Sequence, residues 1–207
     1  MGYDLDTWRK RVAERTDISS QVVHLTRAAE GKKISEVLFD IVNGKKLKGS
    51  STKSGFICGS RTAVCFQDAP LVSICQNVFY EQKYKKANPE SKDRYRAVGI
   101  AFTKPFVYKK GGRPVIYDKT SEAKKYIQKS EWWRIVNYDL TDPTAFVDWT
   151  HEREWRVPDD MEFSLEEATL LFVNSGIYRE FEKICKKNRS NCLDEVKGIV
   201  VMDNLLY

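Results

Sequence analysis

Two short patterns in this chain hold residue types able to act together on one substrate: Glu152-Arg-Glu154 late in the sequence and His24-Leu-Thr26 early in it. The run Trp149-Thr-His-Glu-Arg-Glu-Trp-Arg-Val157 is rich in strand formers, and Pro158-Asp-Asp160 supplies a stop, which predicts a strand over 149–157. Strand alternation puts Glu152, Glu154 and Arg156 on one face and Trp149, His151, Arg153, Trp155 and Val157 on the other. The two carboxylates then stand roughly 7 Å apart, at about 3.3 Å of rise per residue. Like charges so placed repel, and a cation, solvent or a substrate must compensate them. Arg156 is one such cation and makes the motif an ion-paired edge strand. Positive charge developing on a sugar is another and makes it a reaction site.

His24 lies in Val22-Val-His-Leu-Thr26, a predicted strand on which the imidazole and the Thr26 hydroxyl share a face while Val23 and Leu25 anchor the other. A histidine among apolar neighbours also reads as a satisfied core or edge residue. The ordered pairing of an early His-x-Thr strand with a late Glu-x-Glu strand favours a site.

The elements that must position these groups follow from periodicity and punctuation. A short amphipathic helix opens the chain, with Asp4 or Asp6 as its cap and Trp8 and Val12 on its apolar side. A helix capped by Ser35 carries Val37, Leu38, Ile41 and Val42 at helical spacing and closes at Gly44. Residues 45–60 form a loop, 62–66 a buried strand, and Pro70 starts a helix to about Tyr84. Strands are predicted at 94–102, 114–117, 132–138, 169–173 and 198–202, and helices at 121–128 and 176–187. With no repeat and no long linker, 1–207 reads as a single α+β domain with a mixed or largely antiparallel sheet.

The chain has 207 residues, 42% hydrophobic and 12% aromatic, enough for a packed core. No apolar run spans a bilayer and the N-terminus carries no leader pattern, so a cytoplasmic protein without a membrane partner is expected. Five cysteines without paired spacing predict reduced, mostly core thiols and no metal site, although a Cys nucleophile served by His24 or His151 stays open. The net charge of +6 comes from short lysine and arginine clusters, compatible with an anionic substrate such as nucleic acid or with solvated helix faces. Gly-x-Gly-x-x-Gly and Walker loops are absent, which argues against a dehydrogenase or P-loop ATPase.

The ordered set His24-Leu-Thr26, Thr62-Ala-Val-Cys-Phe-Gln-Asp-Ala-Pro70, Gly99-Ile-Ala-Phe102, Gly111-Gly-Arg-Pro-Val-Ile-Tyr117 and Glu152-Arg-Glu-Trp-Arg156 resembles the bacterial ADP-ribosyltransferase-like superfamily, with its DarT-like and CmdT-like toxin and phage-defence members. The resemblance implies a split sheet with flanking helices and NAD as co-substrate. It also implies transfer of ADP-ribose to a macromolecule, DNA or RNA among the acceptors, in the service of a toxin or anti-phage effector with an antitoxin partner. By the same resemblance Glu154 is the catalytic carboxylate and Glu152 orients or deprotonates the acceptor, with the reverse assignment open. His24 and Thr26 hold NAD, Arg61 either pairs with its pyrophosphate or is a solvent-exposed loop cation, and Tyr117, with Tyr138 as competitor, either stacks on nicotinamide or is a half-buried core tyrosine. The chain lacks the Ser-Thr-Ser strand of better-known transferases. Two other readings compete: a non-catalytic antitoxin or immunity protein that binds nucleic acid or protein, and a nuclease holding a divalent metal on Glu152, Glu154 and Asp160.

Overall fold

A computed structural model describes residues 2–29, 31–91 and 96–205. Helix α1 (Leu5–Ala13) starts at Asp4, whose Oδ1 accepts the Thr7 N–H at 2.9 Å, and buries Val12. Strand β1 (Gln21–Leu25) follows, then α2 (Ile34–Gly44). Ser35 is not its cap. The helix is entered from Lys33, whose N–H is taken by the Glu36 carboxylate at 2.7 Å, and Ser35 is buried in the first turn. Gly44 remains helical, and the left-handed residue that ends the helix is Lys45, at φ 49°.

Strand β2 (Lys46–Leu47) opens the expected loop, which leads to β3 (Ala63–Phe66) and to α3 (Leu71–Ala87), entered from Pro70. Strand β4 (Gly99–Thr103) is the described part of the strand predicted over 94–102; Arg94 and Tyr95 lie outside the described residues. Helix α4 (Lys104–Lys109) was not anticipated. Thr103 caps it by accepting the Phe106 N–H at 3.4 Å, and Pro105 sits in its first turn. Next come β5 (Arg113–Pro114), β6 (Ile116–Asp118), α5 (Thr120–Tyr126) and, after a 3-10 turn, β7 (Ile135–Asn137). The last third holds β8 (Trp155–Pro158), β9 (Met161–Glu162), β10 (Thr169–Phe172), α6 (Ser175–Lys187), α7 (Cys192–Glu195) and β11 (Gly198–Val201).

Four strands form a mixed sheet in the order β1-β4-β10-β11, in which only β10 and β11 run parallel. Val22, Ile100, Phe102, Leu170 and Phe172 point from one face into a core completed by Leu38, Phe39 and Val42 of α2 and Phe181 and Cys185 of α6. Val23, Ala101 and Leu171 point from the other face onto Ile74, Cys75 and Val78 of α3. A second, antiparallel sheet runs β3-β8-β5 and sends Val64, Phe66 and Val157 into the first core. Pairs β2–β9 and β6–β7 sit outside these two sheets.

The result is an α+β protein with mixed and antiparallel sheets and flanking helices. All five cysteines are free thiols, and among the described residues no helix is long and apolar enough to cross a membrane.

Candidate functional site at the junction of the two sheets

The sheets meet at one bridge, where Val23 and Gln67 exchange backbone hydrogen bonds of 2.9 and 2.8 Å. An antiparallel ladder continuing from this bridge would pair Leu25 with Cys65. Instead the His24 ring intervenes, with Nδ1 2.9 Å from the Cys65 carbonyl oxygen and its edge toward the Phe66 ring. A carbonyl only accepts, so Nδ1 carries the proton and donates. In the neutral ring Nε2 then remains a lone-pair acceptor. Burial holds the imidazole below its ordinary value, against the opposing pull of the Cys65 carbonyl, so the neutral form prevails at neutral pH. Gly99, paired with Leu25 on β4, is required here: a Cβ on it would collide with the His24 carbonyl oxygen.

The acidic motif departs from the predicted strand. Residues Thr150–Glu152 form a 3-10 turn, Arg153 is left-handed at φ 45°, and the strand proper begins only at Trp155. Glu152 and Glu154 therefore do not share a face through strand alternation. The cause is local: the Asp148 carboxylate accepts both the Thr150 N–H (2.9 Å) and its hydroxyl (2.6 Å), an Asx-type turn that overrides the strand propensity of Trp and Thr. The left-handed residue costs on the order of 1–2 kcal/mol. Backbone bonds from Arg153 N to Thr150 O and Asp68 N to Glu152 O, with the Arg153 guanidinium on the Asp17 carbonyl, hold it in place.

Both glutamates are nonetheless buried. Arg156 grips Glu154 with two nitrogens, Nε at 2.8 Å and Nη2 at 3.2 Å, and its remaining donors go to the carbonyls of Trp133, Ile135 and Phe56. The compensating cation is thus Arg156. Cys65 pairs with Arg156 across β3 and β8, and its thiol is pushed well above its ordinary value, first by burial and then by the Glu154 charge. A thiol so held is a poor nucleophile, and it meets His24 only through its carbonyl. Cys65 is the residue that sequence reasoning missed. Its carbonyl touches the imidazole and its side chain faces Glu154, so the early and late motifs converge on one position.

Tyr117 also converges. Its hydroxyl accepts the Glu154 N–H at 2.7 Å, and burial, reinforced by the Glu154 charge, pushes it up to about 12. Thr26 lies one residue beyond β1, buried, its N–H on the Val98 carbonyl at 2.8 Å. Arg61 does not join the group. It precedes β3 at the end away from Cys65, roughly 13 Å along the strand at about 3.3 Å per residue, and its Nη2 is on exposed Asp159 at 2.6 Å. Asp160, the third acid of the nuclease reading, is turned to the Gly49 N–H and Lys46, at 2.9 Å each. Among the described residues no group of three or more His, Cys, Asp or Glu is placed to hold a metal ion.

No family model matches the chain, and neither does any curated protein or solved structure. The site therefore has to be read from its own geometry. Two surface hollows, of about 550 and 260 Å³, lie elsewhere: one between α1 and α4, the other beside α3, and neither is lined by His24, Glu152 or Glu154.

Proposed function

We propose that the protein is an NAD-consuming ADP-ribosyltransferase of the toxin or anti-phage type, acting where the two sheets part. The observation that carries this reading is the convergence on Cys65 of a neutral imidazole, bonded to its carbonyl, and a buried carboxylate beside its side chain. In the proposed chemistry the nicotinamide–ribose C–N bond breaks, the electron pair leaves with nicotinamide, and the ribose carbon becomes oxocarbenium-like. A carboxylate already fixed in position stabilises that charge without reorganising. Glu154 is fixed by Arg156 and through its own N–H by Tyr117. His24 Nε2 accepts a ribose hydroxyl, and Glu152, on the neighbouring turn, orients the acceptor nucleophile that then attacks the same carbon. Thr26, two residues after His24, holds NAD with it, and Arg61 exchanges its exposed partner Asp159 for the pyrophosphate.

The test is incubation of the folded protein with NAD labelled in the adenylate half, together with DNA, RNA or cell lysate. Label transferred to one acceptor class, with stoichiometric nicotinamide release, is the expected result; intact NAD in every mixture would count against the assignment.

A second reading is favoured by one observation: both Glu154 oxygens are spent on Arg156, as in a purely structural ion pair. On that reading the protein is a non-catalytic antitoxin or immunity protein that binds nucleic acid or a partner. Glu154→Gln then leaves the cellular phenotype intact, whereas the transferase reading has it abolish toxicity.

A further inference from the structure

The hollow between α1 and α4 carries chemistry that the proposed transfer does not use. Its walls are aromatic and aliphatic, from Trp8, Tyr108, Trp155 and Ile18, and Lys104 and Lys109 bring cations to it. At about 550 Å³ it falls within the range of small-molecule sites. The carboxylate beside it, Asp68, is already committed: Lys104 Nζ lies 2.8 Å from one oxygen, and the Trp155 indole N–H donates to the other at 3.1 Å. Lys109, in contrast, is exposed at the rim. Tyr108 is 53% exposed and flat against the Arg113 guanidinium, 3.9 Å from its ring centre, so its phenol is stiffened in place.

A ligand that satisfies this surface needs a planar π face for Trp8 and for whatever face Trp155 and the Arg113-backed Tyr108 leave open, and an anionic group for Lys109. An aliphatic anion meets the lysine but leaves the ring faces without a stacking partner. A neutral aromatic stacks but leaves the cation unused. We propose that the hollow binds a nucleobase together with its phosphate, supplied either by a free nucleotide or by a single-stranded nucleic acid. Its position is consistent with an acceptor site. Asp68 donates its N–H to the Glu152 carbonyl at 3.0 Å, and Arg153 reaches the carbonyl of Asp17, the residue before Ile18. That last role rests on the transferase reading; the binding does not.

The experiment is fluorescence polarisation of a short labelled single strand, DNA and RNA in turn, competed by unlabelled mononucleotides. It compares the wild type with Trp8→Ala, Lys109→Glu and, as a control outside the hollow's lining, the exposed aromatic change Tyr80→Ala. Saturable binding weakened about tenfold by Trp8→Ala, the loss of one stacked base, is expected. Lys109→Glu weakens it further and flattens its salt dependence, while Tyr80→Ala leaves it unchanged. Displacement by mononucleotides identifies a free nucleotide as the ligand, and resistance to them identifies a strand; either supports the proposal. It is overturned by absence of binding to both a labelled strand and a labelled mononucleotide, by binding indifferent to Trp8 and Lys109, or by a fatty acid or acidic peptide that competes equally well. Nicotinamide release is read separately, so a protein that binds strands without consuming NAD sinks the transferase reading and keeps this one.

Discussion

The four-stranded sheet and the three-stranded sheet share one apolar core, yet their opposite faces differ in kind. The first sheet packs Val23, Ala101 and Leu171 of its far face against α3 in a buried apolar cluster. The second turns Cys65, Glu154 and Arg156 to its far face, beneath Trp133 and Ile57. Burying an ion pair costs several kcal/mol in desolvation that apolar residues of similar volume avoid. A polar face retained where an apolar one would be at least as stable is where function is most reasonably sought. The difference marks β4 and β10 as scaffold, to which β1 adds His24 at the junction, and places the buried charge on β3, β8 and the turn that precedes β8.

Substitutions can break this contrast, the largest effects first. Phe172→Ala in the scaffold removes a fully buried ring and should cost about 3–5 kcal/mol by urea denaturation, with no rescuing partner. Arg156→Met should cost about as much, 3–5 kcal/mol, because it strands Glu154 in a buried site. Adding Glu154→Leu to Arg156→Met should recover most of that loss. Failure of the double variant to recover would mean that Arg156 acts through its three carbonyl contacts instead. Gly99→Ala should cost about 1–3 kcal/mol by overpacking against the His24 carbonyl, and it should weaken NAD binding as well if His24 is displaced.

The smallest effect concerns pH. Burial depresses the folded-state titration of His24. As pH falls below the ordinary value of 6.5, the unfolded chain therefore takes up a proton first. The histidine's contribution is whole above that pH and declines below it, by at most about 1.4 kcal/mol per pH unit, until the folded form is protonated too. His24→Gln should remove this slope from denaturation curves measured across the window. An unchanged slope would place the titration elsewhere.

Much of the scaffold was legible because apolar and β-branched runs and their Pro and Gly punctuation report local structure directly: β1, β3, β10, α3 and α6 lie where those signals put them. Helix α4 was hidden because Phe106, Val107 and Tyr108 continue the β-branched and aromatic run of the preceding strand, and only Thr103 and Pro105 mark the switch. The site was half legible. Tyr117 reaches Glu154, Arg156 supplies the compensating charge, and His24 meets this group through the Cys65 carbonyl. The Glu152 turn was misread because propensity was weighed without the Asp148-x-Thr150 signal, although Asp139-x-Thr141 and Asp142-x-Thr144 make the same Asx bonds. The pairing of Arg61 with Asp159 was hidden because it spans 98 residues of sequence, a relation no local pattern reveals.

The central claim is that Glu154 is a catalytic carboxylate as well as the partner of Arg156. The direct measurement is nicotinamide release from NAD by Glu154→Gln, which keeps the shape and one acceptor for Arg156 but turns an N–H donor to its other nitrogen, with Glu152→Gln beside it. Glu154→Gln should lower release by roughly 10²–10³-fold per folded molecule, after denaturation curves have corrected for the stability lost with the ion pair, while Glu152→Gln still hydrolyses NAD but no longer labels the acceptor. Wild-type release that survives Glu154→Gln intact would contradict the claim.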